Sequence, residues 1–127
     1  MDDAKKMKVL KILLVVFGIV FVIGIYPLSL FWPSGWQWHG GQGNYYFQMI
    51  LGVYATLGVF MVLAAKDPMK HLSLIWFVVW SSVVHSAIMA IQAFGDDMET
   101  GHLVGDVPVL LLVAILLALL TPRRLSA

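Results

Sequence analysis

Long apolar runs, separated by short stretches of charge, glycine and proline, make up most of this chain. The first runs from about residue 9 to 30, the second from about 45 to 65, the third from about 71 to 94 and the fourth from about 103 to 121. Each meets or approaches the ~20 residues with which a helix crosses ~30 Å of hydrocarbon. The breaks have physical causes. Pro33, Ser34 and Gly35, followed by Gly40, Gly41, Gly43 and Asn44, supply turn formers over the connection 31–44. Lys66, Asp67 and Pro68 end the second run, the segment from Gly95 to Gly101 ends the third, and Pro122 stops the fourth. The pattern predicts an all-α fold: a single transmembrane domain over residues 1–127, built as a four-helix up-down-up-down bundle.

Composition agrees with a lipid solvent, since 61% of the 127 residues are hydrophobic and only 12% charged. The net charge of +1 gives no reason to expect nucleic acid as a partner; the placement of charge is more informative. All eight cations fall on one side of the predicted topology: Lys5, Lys6, Lys8 and Lys11 before the first run, Lys66 and Lys70 between the second and third, Arg123 and Arg124 after the fourth. The positive-inside rule then places both termini in the cytoplasm, and the expected location is a bacterial inner (plasma) membrane, crossed several times. The opposite face carries Trp32, Trp36, Trp38, Tyr45 and Tyr46 beside Asp96, Asp97 and Glu99. The lysine-flanked first run resembles a signal peptide, but its apolar stretch continues from Ile12 to Leu30 with no small-x-small cleavage site after it, so a retained helix is expected. The chain has no cysteine, which excludes disulfide, thiolate-metal and thiol redox chemistry.

Polar side chains inside the runs are costly in hydrocarbon and so point to function. His85 lies near the expected bilayer centre, with Ser81, Ser82, Met89 and Gln92 on the same helical stripe. Counting inward along the second run brings Tyr54 to roughly the same depth, which makes a Tyr54–His85 contact geometrically possible. Gln48 lies one turn before Gly52, and Gly52, Ala55 and Gly58, with Gly18 and Gly24 on the first run, permit close helix approach. Asp106 follows His102 by four residues on one helical face. The candidate ligand-binding set is therefore Tyr54, His85, Gln92, Gln48, Ser81 and Asp106, covered from the 31–44 connection by Trp36 and Trp38. Each member also has a plainer reading. His85 can serve packing through one hydrogen bond, Asp106 can favour the positive end of the fourth helix, and the tryptophans can anchor at the headgroups.

A metal set of His39, His102 and Asp106 uses suitable ligand types, although only the pair four residues apart has informative spacing. The acidic turn from Asp96 to Glu99 reads as a solvated loop without regular calcium spacing. Nucleotide-binding glycine motifs, nucleophile elbows and His-Glu-x-x-His are absent, so the residues favour binding over catalysis.

Length and helix number resemble the small multidrug exporters, but their membrane-embedded acid has no counterpart between Ile12 and Leu30. Within the third run, the segment Trp80 to Ala93 with His85 and Gln92 resembles the third helix of the BphX-like proteins, and the overall plan resembles more loosely the DoxX-like proteins. That resemblance implies an accessory or hydrophobic-substrate-handling role and weight on His85 and Gln92. The expected function is a non-catalytic accessory subunit or hydrophobic-ligand-binding bundle with an outward-facing polar cavity. It would lie in the lipid bilayer, by itself, as a homo-oligomer or in a larger membrane complex. Two alternatives are an oligomeric transporter or channel using His85 and Asp106, and an electron-transfer protein holding haem or quinone.

Overall fold

The structure, a computed structural model, describes residues 2–36 and 45–122; Trp38, His39, Arg123 and Arg124 lie outside them. The described residues are helical apart from short turns and contain no strand. They include four helices long and apolar enough to cross a membrane.

Helix α1 spans Asp3–Phe31. It starts earlier than the apolar run because Asp2 caps it, accepting from the Lys5 amide at 2.8 Å, and because lysines are good helix formers. Pro27 sits inside this helix and has no N–H to give the Ile23 carbonyl. Just upstream the helix widens into a π-turn over Val20–Gly24, where the Ile25 amide bonds the Val20 carbonyl. A single helical turn, Pro33–Trp36, follows.

Helix α2 is Tyr45–Ala64, and a 3₁₀-turn at Pro68–His71 leads into α3, Leu72–Gly95. A second 3₁₀-helix, Asp97–Val104, precedes α4, Asp106–Leu120. The sequence pattern extends the fourth helix back to residue 103, but Gly105 leaves helical geometry at φ −111° and ψ −109° and resets its start. Pro108 is tolerated in the new first turn, where no intrahelical donor is required.

Packing is strongest between α3 and α4 and between α1 and α2, and α1 also touches α4. The fully buried core, with Leu10, Leu14, Met61, Ile75, Val78 and Leu117, lies toward the lysine-bearing ends of the helices. There the Trp76 indole donates to the Pro122 carbonyl at 3.2 Å and ties α3 to the end of α4. Gly18 and Gly58 let α1 and α2 meet backbone to backbone, since a Cβ on Gly18 would lie 2.7 Å from the Gly58 carbonyl oxygen. Gly52, by contrast, faces open space, and Gly24 faces the Val20 side chain of its own helix. Although a short turn joins them, α2 and α3 touch only sparsely. Large apolar side chains such as Ile23, Phe77, Ile91, Phe94 and Ile115 point outward, as they do on a surface solvated by hydrocarbon.

Candidate functional site: an apolar cleft with a polar head end

The sparse contact between α2 and α3 leaves room for a narrow cleft of about 80 Å³ toward the end of the molecule that carries Trp36. Helix α1 contributes Val20, Phe21 and Ile25 from the π-turn and its flank, and α2 contributes Phe47, Ile50, Leu51 and Tyr54. His85 and Met89 come from α3, and Asp106, Val109 and Leu110 from α4. The walls are overwhelmingly apolar, and the polar groups number few.

The first is a pair. The Tyr54 hydroxyl is hydrogen-bonded to His85 Nδ1, and the two rings lie tilted with centroids 5.6 Å apart. With the phenol as donor, the neutral imidazole keeps its own proton on Nε2. Phe21 braces Tyr54 edge-on, with ring centroids 5.1 Å apart and planes at 90°. An aromatic chain thus links α1, α2 and α3 across the gap that backbone packing does not close.

The second is Asp106, the first residue of α4, where a carboxylate complements the helix dipole. Its Oδ1 lies 2.9 Å from His102 Nδ1, and on the other side of the same ring Nε2 lies 3.0 Å from Glu99 Oε2. All three side chains are withdrawn from solvent: Glu99 is 6% exposed, His102 0% and Asp106 7%. Glu99 therefore departs from the solvated acidic turn that the sequence suggests. The turn is held closed by Asp96, which accepts from the Met98 amide at 2.9 Å, and this presents Glu99 inward at three residues from His102. Spacings of three and four around one histidine were the available sequence signal.

The third is Trp36, 6% exposed, whose indole Nε1 has no hydrogen-bond partner among the described residues. Glycine seams seat its turn over the cleft. Gly35 packs against Gly105, with its would-be Cβ 3.2 Å from the Gly105 Cα, and Gly101 packs against the Ser34 backbone. The Trp32 indole also lies against Gly35, its Cε2 2.8 Å from the same would-be Cβ.

The structure thus gathers Tyr54, His85, Asp106 and Trp36 of the expected set into one cleft, with Met89 beside them. It does not bring in the others. Gln92 and Gln48 are exposed and line no part of the cleft. Ser81 turns back onto the Val78 carbonyl at 3.3 Å, and Ser86, which the polar-stripe reading does not include, onto the Ser82 carbonyl at 2.6 Å. His102 reaches the cleft through Asp106, and its two ring nitrogens both face carboxylates. Among the described residues no three His, Asp or Glu side chains converge on a point where a metal ion could sit.

A family model described as a family of unknown function, DUF6632, matches residues 4–125. No curated protein and no solved structure matches the chain.

Proposed function

The chain belongs to that family, and from this premise we propose that it is a membrane-embedded binding protein whose cleft holds an apolar molecule by a neutral polar head. The observation that carries the reading is the buried Trp36 indole N–H, unpartnered among the described residues, in a mostly apolar cleft. Leaving a buried donor unpaired costs about 1–3 kcal/mol, and an acceptor oxygen on a ligand would recover it. Small-molecule sites are likewise mostly apolar with a few convergent polar groups.

The chemistry of the wall narrows the ligand. Asp106 repels an anionic head such as a phosphate, whereas a carbonyl or hydroxyl can accept from Trp36 beside the Tyr54–His85 pair. Phe47, Ile50, Leu51 and Leu110 suit a hydrocarbon tail or a quinone-like ring. The one-sided placement of the lysines supports a cytoplasmic position for that end, and hence a cleft opening toward the other face of the membrane.

A photoactivatable long-chain alcohol, added to membranes containing the protein and mapped by peptide mass spectrometry, tests this. Adducts are expected on α2 between Phe47 and Tyr54 and on Val109 or Leu110. Trp36→Phe should lower that labelling about fivefold, the equivalent of one hydrogen bond of ~1 kcal/mol. Labelling confined to outward side chains such as Ile91 and Phe94, and indifferent to Trp36→Phe, would overturn the proposal.

A further inference from the structure

Binding of a neutral head does not by itself call for the Glu99–His102–Asp106 chain. Two carboxylates and an imidazole, all almost fully buried, form a continuous line in which each ring nitrogen faces a different acid at 3.0 and 2.9 Å. One end, Glu99, sits in the 3₁₀-helix between the exposed Met98 and Thr100; the other end, Asp106, lines the cleft. Two carboxylates alone would repel one another. Two such hydrogen bonds require two protons between three groups, carried either by an imidazolium or by a neutral ring and one carboxylic acid. Those forms differ only in where protons sit along lines already at hydrogen-bond length.

We propose that Glu99, His102 and Asp106 form a proton relay between the surface of the molecule and the cleft. In the inward direction, the proton of a Glu99 carboxylic acid, taken up at the surface, passes to His102 Nε2, and the proton on Nδ1 passes to Asp106. The ring is left as the other tautomer, Glu99 as a carboxylate and Asp106 as the acid; the three groups hold two protons before and after, and no bond between heavy atoms changes. Transfer in reverse restores the starting tautomer, so the relay shuttles a proton in and back. Among the described residues, the titratable groups facing this chain include Glu99 and Asp106 on either side of His102, with Tyr54 and His85 sharing the cleft beyond Asp106. A proton delivered to Asp106 removes the charge that disfavours anionic or acceptor-rich heads, so the relay would couple cleft occupancy to the acidity of the medium outside. It stands independently of which molecule fills the cleft.

The test is rapid-mixing infrared spectroscopy of the full-length protein in lipid membranes, stepped from about pH 8 to about pH 4 across the ordinary carboxyl range. The carboxylic C=O band lost in Asp106→Asn reports protonation of Asp106. In the unaltered protein this band should appear promptly. In Glu99→Gln and in His102→Gln it should appear about a hundredfold more slowly, the magnitude associated with loss of a positioned proton carrier. Glu99→Asp should restore part of the rate. Because Glu99→Gln keeps the shape and hydrogen-bonding capacity of the side chain, it serves even where His102→Gln does not fold. Equal rates in the unaltered protein and Glu99→Gln would show that the proton enters through the cleft itself, and would overturn the relay. So would the absence of any Asp106 band after the step.

Discussion

Replacing His102 with leucine is expected to cost about 3–5 kcal/mol of stability, because it leaves Glu99 and Asp106 as buried carboxylates without the ring that separates and bonds them. Unfolding in mild detergent, followed by loss of helical signal, measures it. The cost belongs to the uncompensated charge and not to the histidine as such. Combining His102→Leu with Glu99→Gln and Asp106→Asn should therefore recover much of the loss. A single-variant cost no larger than the ~1 kcal/mol of an exposed ion pair would mean that water reaches these groups, and would remove the basis of the relay as well.

Gly58→Leu should be comparably damaging for a different reason. A Cβ at Gly58 runs into the Gly18 carbonyl and lies 2.9 Å from both Phe21 Cβ and a Val22 methyl, so a leucine there must push α1 away from α2. Overpacking of this kind typically costs about 1–3 kcal/mol, and more where backbone is the obstacle. Phe21 also braces Tyr54, so cleft labelling should fall together with stability. Gly52→Leu on the same helix has nothing within 4 Å to strike and should be tolerated. If Gly52→Leu and Gly58→Leu behave alike, the two helices do not meet where the structure joins them.

The difference between these glycines marks how far the sequence can be read. Apolar runs and their breakers locate four helices because hydrocarbon length and backbone satisfaction dictate them. Depth was legible too: counting inward from the helix ends brings Tyr54 level with His85, and the structure joins them. Rotation was not legible. Gly18, Gly24, Gly52 and Gly58 have equal claims on paper to a close contact, yet only Gly18 and Gly58 meet. Gln92 shares a stripe with His85 by its offset, but it lies near the end of α3, where a polar side chain is no longer obliged to turn inward, and it is exposed.

Glu99 shows a further limit. Its burial depends on the Asp97–Val104 turn docking onto Pro33–Trp36 through Gly35, Gly101 and Gly105, a contact between segments far apart in the chain. Local acidity alone predicts solvent there. The π-turn is an intermediate case. Pro27 announces a disturbance in the first helix, but its resolution as a widened turn upstream that lends Val20 and Phe21 to the cleft required the fold.

Native mass spectrometry of the protein, gently extracted from its membrane and compared with Leu51→Trp, addresses the cleft most directly. Leu51 lines the cleft, and an indole in its place takes up the space a ligand would use. A discrete apolar molecule bound to the unaltered protein and missing from a folded Leu51→Trp is the result expected of a binding cleft. A bare mass for the unaltered protein, or a bound molecule that Leu51→Trp retains, would contradict it.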